Sequence, residues 1–221
     1  MWMTKTKWQT LARPVAAISL CLAAAASLQG CVELVIGSAV MGTFAATDRR
    51  TFGAQTEDKS IVFKGEVRIS KALGDSAHVN VNAFNRRALL TGEVADEAAR
   101  LRAENEMRAV EGVVSVMNEL QVSGISSLSS RSNDALITTK VKATFVDTKD
   151  MFASAFKVVT EGGVVFLMGR VTQREGDRAA QVAASISGVR KVVKVFEYIS
   201  EAELQEMTVK PNTNPSTTTN N

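Results

Sequence analysis

The feature that most constrains the fold is an internal repeat, because the chain after residue 59 contains two copies of one unit. Three blocks match in the same order and at near-constant spacing: residues 79–82 with 156–159, 88–94 with 165–171, and 110–113 with 186–189. One chance match is common, but three in order indicate a duplication. Each copy has roughly 65–70 residues, which is enough for a small domain to fold alone. The sequence therefore predicts two tandem domains of the same fold.

The second copy shows the start of the element order most clearly. Ser132 or Asn133 can cap a helix that begins at Asp134. Apolar residues recur there at one-turn spacing, as Ile137, Val141 and Phe145. Two strands follow, joined at Gly162 and Gly163, and paired glycines supply the positive φ angles of a tight hairpin turn. The copy therefore begins with a helix and a hairpin.

A second helix and a closing strand complete each copy. In the second copy the helix is expected over residues 174–187, ended by Gly188, with a narrow stripe of Ala179, Ala183 and Ile186. The strand, residues 192–199, is expected to turn Val192, Phe196 and Tyr198 inward. The first copy has Ala99, Ala103, Met107 and Val110 on its helix and Val116, Leu120 and Val122 on its strand. We predict an α+β fold, αββαβ in each domain, with two helices on one face of a three-stranded mixed sheet.

The N-terminus has the regions of a secretory signal: a basic start (Lys5, Lys7, Arg13), an apolar run over residues 15–28, and Leu-Gln-Gly before Cys31. The run is too short for a comfortable membrane span. This arrangement resembles the lipobox of bacterial lipoproteins, which implies cleavage before Cys31 and attachment of diacylglyceryl and palmitate chains to it. Val32 in the next position resembles a sorting signal for the outer membrane. The alternative is an ordinary signal peptide, with Cys31 incidental.

Composition argues against several classes of function. The leader holds three of the 26 basic residues and none of the 23 acidic ones, so the rest of the chain is balanced and bulk charge does not support nucleic-acid binding. Cys31 is the only cysteine after the leader, which excludes an internal disulfide and a cysteine-based zinc site. His78 is the only histidine and is expected to be solvated, so no His-based triad or multi-histidine metal site can form. We expect a protein that is not an enzyme and has no cofactor or metal.

The repeated unit, with a Leu-x-Gly-x-Val strand end and a later Gly-Val pair, resembles the BON domain. Two such units behind a lipobox resemble the dual-BON outer-membrane lipoproteins, and the match includes residues 45–50, 132–134, 137–141 and 165–169. By this resemblance Gly92 and Gly169 serve the fold. The predicted organisation is a signal peptide (1–30), a lipidated linker (31–59), BON domain 1 (60–123), a flexible Ser-rich linker (124–131), BON domain 2 (132–200) and a disordered tail (201–221).

The resemblance implies a lipoprotein on the periplasmic side of the outer membrane that supports envelope integrity by binding anionic phospholipid, such as phosphatidylglycerol or cardiolipin. It also implies enrichment at the division site and a link to proteins of outer-membrane assembly or cell-wall separation. The alternative is a periplasmic scaffold that binds an envelope protein or peptidoglycan, with no lipid recognition beyond the anchor.

The first helix of the second domain is the expected lipid-binding element. When the first helices of the two domains are aligned, Ile69 pairs with Val141 and Lys64 pairs with Leu136. In this alignment only the helix of the second domain has an exposed apolar residue beside lysines. The resemblance implies phospholipid binding through this domain, and we expect the contacts to be Leu136, Thr139, Lys140, Lys142 and Val146. The alternative is that Leu136 packs on its own sheet and the lysines are merely solvated.

Overall fold

The computed structural model describes residues 48–209, so the predicted signal peptide, Cys31 and residues 210–221 lie outside the described residues. The first domain contains α1 (Phe52–Leu73), β1 (His78–Phe84), β2 (Arg87–Val94), α2 (Glu97–Arg108), β3 (Ser115–Asn118) and β4 (Gln121–Val122). The second contains α3 (Leu128–Asp147), β5 (Phe156–Glu161), β6 (Val164–Val171), α4 (Gln173–Ala184) and β7 (Lys191–Tyr198), and a last helix, α5 (Glu201–Val209), follows. The two domains repeat one element order.

Each domain has a small mixed sheet, as the sequence predicted. β1 pairs antiparallel with β2, and β5 pairs antiparallel with β6. The parallel partner of β6 is β7, whereas the parallel partner of β2 is divided into β3 and β4. Leu90 and Val94 carbonyls accept hydrogen bonds from Glu119 and Ser123, so β3 and β4 act as one interrupted strand. The predicted αββαβ order and α+β class are confirmed.

The helices of each domain cover one face of its sheet and enclose a core. In the first domain the fully buried side chains include Ile61, Leu90 and Met107. In the second domain Val141, Leu167 and Ala179 are buried, and the Phe145 and Phe156 rings meet edge to face at 5.4 Å. Ala103, Val110, Ala183 and Leu120 are buried as predicted, and Gly162 and Gly163 have the expected positive φ angles.

The faces of the two sheets that carry no helices pack against each other. Their contact is a third apolar cluster of Phe84, Leu89, Phe166 and Met168, joined by partly buried residues such as Met117 and Val195. β2 and β6 are therefore covered on both faces, which accounts for their consecutive apolar residues at 88–90 and 164–168, since strands covered on one face alternate instead. The sequence does not indicate this contact directly, because the residues that form it lie in two copies about 77 positions apart.

Three element boundaries differ from the predictions because of helix caps. The Thr51 side chain accepts a hydrogen bond from Ala54 N, so α1 begins at Phe52 inside the predicted linker 31–59. Ser127 caps α3, so this helix begins six residues before Asp134 and includes part of the predicted flexible linker 124–131. Residues 201–209 of the predicted disordered tail form α5, where Ser200 and Glu203 make reciprocal capping bonds. In each case a capping hydrogen bond starts a helix in a segment that its composition predicts to be a linker or a disordered tail.

Two residues predicted on the closing strands are about half exposed. Tyr198 lies at the end of β7 over Gly176, near the start of α4, so the helix covers only part of its ring, and 47% of the residue is exposed. Val122 ends β4 at the edge of the first domain and is 50% exposed. Both positions have the predicted strand conformation but lie where the helical layer ends.

Candidate functional site

Two aspartates set the position of the first helix in each domain. In the second domain the Asp134 carboxylate accepts hydrogen bonds from Gly162 N and Gly163 N at 2.9 and 2.8 Å, at the β5–β6 turn. In the first domain the Asp58 carboxylate accepts from Asn85 N and Arg86 N, both at 2.7 Å, at the β1–β2 turn. Both carboxylates are buried. Asp58 and Asp134 are therefore counterparts, and each fixes its helix to its own hairpin.

This correspondence shows that the alignment of the first helices in the sequence analysis was wrong by one turn. The buried residues of α1 are Asp58, Ile61, Gly65 and Ile69, and those of α3 are Asp134, Ile137, Val141 and Phe145. Lys64 is thus the counterpart of Lys140, and Ser60 is the counterpart of Leu136. Apolar residues recur at every turn of a helix, so a one-turn shift preserves the pattern on which the alignment relied.

The sizes of two neighbouring core side chains in each domain support the corrected alignment. Gly65 in α1 lies against Met107 of α2, and a Cβ atom at Gly65 would collide with the Met107 thioether. The second domain has Val141 and Ala183 at the two corresponding positions, both buried. One domain therefore pairs glycine with methionine and the other valine with alanine, which keeps each core filled. Gly65 is therefore a packing residue in the core of the first domain.

The structure brings the five predicted contact residues to one exposed face of α3, which we call the α3 face. Leu136 is 60% exposed and Val146 is 71% exposed. At 100° per residue, Leu136, Thr139 and Val146 fall within about 80° of one another, and Lys140 and Lys142 lie about 40° beyond either edge. This face is opposite the buried residues of the helix. Leu136 therefore does not pack on its own sheet.

The lysines of the α3 face form no salt bridge with any residue that the structure describes. Within residues 48–209, lysine salt bridges involve Lys64 and Lys194, not Lys140 or Lys142. The Thr139 hydroxyl donates to the Ala135 carbonyl at 2.9 Å, so it is satisfied within the helix. Moving this face out of water would cost little at Thr139, because that hydroxyl keeps its partner.

Sequence reasoning missed one residue at the edge of this face. Leu128, the first residue of α3, is 77% exposed and falls in line with Val146 on the helical projection. It was assigned to the flexible linker, so its side chain was not considered. The signal that could have found it is Ser127, whose side chain accepts a hydrogen bond from Ser130 N as the N-cap of the helix.

The counterpart surface on α1, which we call the α1 face, is more apolar than the sequence analysis expected. Phe52, Phe63 and Val67 are all more than half exposed, and Phe52 is the counterpart of Leu128. The charges differ, because Lys64 lies 3.8 Å from a Glu111 oxygen and the counterpart of Lys142 is Glu66. The α1 face thus lacks a pair of lysines without carboxylate partners in the described part of the chain, such as the pair that flanks the α3 face.

Two polar groups lie between the domains. His78, expected to be solvated, is largely buried, and its Nδ1 atom lies 2.9 Å from Glu93 Oε2. Lys157 donates to the Ala83 carbonyl at 3.3 Å, and burial together with the nearby Arg50 charge lowers its pKa to about 8. The Lys157 contact could not be predicted from the sequence, since it joins residues that are 74 positions apart.

Comparison with known proteins identifies the family. The family model of the BON domain matches twice, at residues 55–124 and 133–200. The chain belongs to the BON family. Outer membrane lipoprotein DolP of Haemophilus influenzae is 42% identical over 189 residues, which cover 84% of this chain and 97% of that protein.

Two further relatives are more distant. The 21 kDa hemolysin of Actinobacillus pleuropneumoniae is 34% identical and covers 69% of this chain and 79% of its own length. Osmotically-inducible protein Y of Escherichia coli is 31% identical, with 53% of this chain and 60% of that protein covered. The similarity to the DolP lipoprotein, over nearly the whole of both chains, makes this chain an outer-membrane lipoprotein of the BON family. Among the helices of residues 48–209, none combines the length and the apolar character needed to cross a bilayer.

Proposed function

We propose that this BON lipoprotein binds anionic phospholipid, such as phosphatidylglycerol or cardiolipin, through the α3 face and acts by binding rather than by catalysis. The observation that carries the proposal is the position of Leu136 and Val146. Both are exposed, opposite the core, and flanked by two lysines that have no carboxylate partner among the described residues. An apolar centre with basic edges suits the interface of an anionic bilayer, where the side chains enter between headgroups and the ammonium groups remain at the surface.

The binding free energy expected for the α3 face is sufficient for reversible contact with a bilayer but not for anchoring the protein by itself. Burial of one leucine side chain contributes about 1.5–3 kcal/mol, and each lysine near an anionic surface adds about 1 kcal/mol. A covalent anchor at Cys31 would keep the protein at the membrane surface, so a weak second contact could orient the second domain against the bilayer.

Vesicle flotation of the chain from residue 32 onward, which lacks Cys31, tests the proposal. The wild type should float with vesicles that contain phosphatidylglycerol and not with neutral vesicles. Leu136→Asp should reduce binding by about tenfold or more, because it removes apolar burial and adds a negative charge. The matched control is Ser60→Asp at the corresponding position of α1, which should float like wild type.

Circular dichroism of Leu136→Asp should show an intact fold, because the Leu136 side chain is exposed. A folded Leu136→Asp variant that floats as well as wild type would contradict the proposal.

The lysines supply the part of the binding that depends on salt. Lys140→Glu should weaken flotation at low ionic strength, and the defect should shrink as salt rises and wild-type binding falls. Lys64→Glu in α1 is the matched control, since Lys64 is the counterpart of Lys140. An equal loss from both substitutions would mean that bulk charge, rather than the α3 face, attracts the protein to the vesicle.

In the cell, we propose that this contact supports envelope integrity and enriches the protein at the division site, near proteins of outer-membrane assembly or cell-wall separation. Fluorescence microscopy of a tagged chain tests this step. Wild type should concentrate at the constriction, and Leu136→Asp should spread evenly around the cell although it keeps its anchor.

A second candidate function is a periplasmic scaffold that binds an envelope protein or peptidoglycan. The observation that favours it is the exposed apolar surface around Phe63 and Val67 on the α1 face, whose neighbouring Lys64 and Arg68 already face Glu111 and Glu106. Phe63→Asp distinguishes the two. It should leave flotation unchanged if lipid binds at α3 and should abolish function in the cell if α1 holds a protein partner.

A further inference from the structure

Three potential metal ligands meet at the contact between the domains. His78 begins β1, Glu93 lies opposite it on β2, and Glu161 ends β5 of the second domain. One ligand atom from each lies within 4.8 Å of the other two. The cluster therefore exists only when both domains are folded and packed together.

Within residues 48–209, no lysine or arginine balances the charges of the two carboxylates in this cluster. Glu93 and Glu161 are both buried, at 7% and 6% exposure, and neither forms a salt bridge with a lysine or an arginine within residues 48–209. Glu93 Oε2 accepts from Ser126 N at 3.2 Å, and Glu161 Oε2 accepts from the Asn80 side chain at 2.8 Å. Two buried carboxylates this close repel each other and lose hydration. Burial and the neighbouring Glu93 charge accordingly raise the pKa of Glu161.

A second observation points to a ligand at the same place. Thr91 is fully buried on β2, two residues before Glu93 on the same face of the strand and directly opposite Asn80 on β1. Its hydroxyl oxygen has no hydrogen-bond partner among residues 48–209. The Ser126 hydroxyl, whose backbone N–H contacts Glu93, is likewise buried and unpartnered. A buried hydroxyl without a partner costs about 1–3 kcal/mol, and a bound ion with its water would supply one.

We propose that His78, Glu93 and Glu161 form a binding site for one divalent transition-metal ion of the zinc class, which joins the two BON domains. A divalent cation neutralises the two carboxylates. One imidazole nitrogen with two carboxylate oxygens is a donor set suited to Zn²⁺, whereas Ca²⁺ and Mg²⁺ prefer oxygen donors alone. Three protein ligands leave a coordination position for water, which the hydroxyls of Thr91 and Ser126 could hydrogen-bond.

Comparison of the two domains predicts how many metal ions each chain binds. The counterparts of His78 and Glu93 in the second domain are Ala155 and Arg170, which cannot form the same site. One metal ion per chain is therefore expected. Since His78 is the only histidine, its imidazole also gives a single, unambiguous signal in a nuclear magnetic resonance spectrum.

The test uses the chain from residue 32 onward, stripped of metal with a chelator and titrated with zinc chloride. Calorimetry should give one site per chain, the His78 ring signals should shift with zinc, and the thermal midpoint should rise. Glu161→Gln should weaken zinc binding at least tenfold, and Thr91→Val should weaken it by about tenfold as a neighbour that supports the bound water. Glu97→Gln, at an exposed acid of α2, is the matched control and should bind like wild type.

Three results would overturn the proposal. The first is a His78 signal that responds to pH but not to zinc, which would make the cluster a shared-proton network. The second is zinc binding by Glu161→Gln as tight as that of wild type. The third is equal competition by calcium or magnesium, which would exclude a site of the zinc class. If Glu161→Gln fails to fold, Thr91→Val still decides the outcome, because replacing an unpartnered hydroxyl with a methyl group preserves the shape of the core.

Discussion

The Asp134 carboxylate should be among the most stabilising polar groups of the second domain. It is buried and accepts hydrogen bonds from two backbone N–H groups of the β5–β6 turn. Asp134→Ala removes both bonds. Gly163 is buried, so its N–H cannot be satisfied by water instead, whereas the partly exposed Gly162 can be hydrated.

The loss of unfolding free energy in Asp134→Ala follows from the number of hydrogen bonds removed and from the charge of their acceptor. A hydrogen bond to a charged group contributes about 1.5–3 kcal/mol, so two amount to about 3–6 kcal/mol, reduced toward about 3–5 kcal/mol by hydration of Gly162. A small domain has a free energy of unfolding of about 5–15 kcal/mol, and this one lies near the lower end because of its size. Asp134→Ala should therefore leave the second domain marginally stable. Asp134→Asn keeps one acceptor oxygen and should lose about half as much.

Urea denaturation followed by far-UV circular dichroism measures the loss, since both tryptophans lie in the first eight residues and cannot report on the domain. Hydrogen exchange adds a local measurement, because the Gly163 amide should lose its protection in Asp134→Ala. Asp58→Asn is the matched variant in the first domain, where Arg50 also contacts the carboxylate at 2.7 Å. An unchanged urea midpoint with a protected Gly163 amide would refute the reasoning.

Three further predictions concern other parts of the chain. Cys31→Ser should leave an uncleaved precursor in fractionated cells, because a serine hydroxyl cannot accept the thioether-linked lipid; normal outer-membrane fractionation would contradict the lipobox. A fragment of residues 126–200 should unfold cooperatively but at lower urea than the full chain, because Phe166 and Met168 lose their cover; equal midpoints would show that the domain contact contributes nothing. Lys157→Met should raise the free energy of unfolding at pH 7 by up to about 3 kcal/mol, and its advantage should vanish between pH 8 and 10.5, measured by denaturation across that range.

The sign of the Lys157 prediction comes from proton linkage. Its pKa is lowered to about 8 in the folded protein from an ordinary 10.5, chiefly by burial, so the unfolded chain binds more protons between these values. The free energy of unfolding of the wild type therefore rises as the pH increases from 8 to 10.5. Below pH 8 the destabilisation caused by burying the charged Lys157 is fully present. A constant difference between Lys157→Met and wild type across the range would show that the lysine is hydrated in the folded protein.

The duplication, the αββαβ order and the glycine turn at Gly162 and Gly163 could be predicted from the sequence, whereas the exposure of Leu136 remained one of two alternatives. These follow from patterns a few residues long, such as strand alternation, helical spacing and turn glycines, which depend on local backbone geometry. The lipobox is likewise a local signal, read from a leader and one cysteine.

The correspondence between the two first helices and the contact between the two sheets became clear from the three-dimensional structure. Helical spacing repeats at every turn, so it could not show whether Lys64 or Ser60 is the counterpart of Leu136. The hydrogen bonds that Asp58 and Asp134 accept from their hairpin turns identify Ser60 as the counterpart. The packing of the two sheets and the approach of His78 to Glu161 join residues about 80 positions apart in the chain. No local periodicity encodes such pairs, because they depend on which sheet faces remain uncovered after each domain has folded.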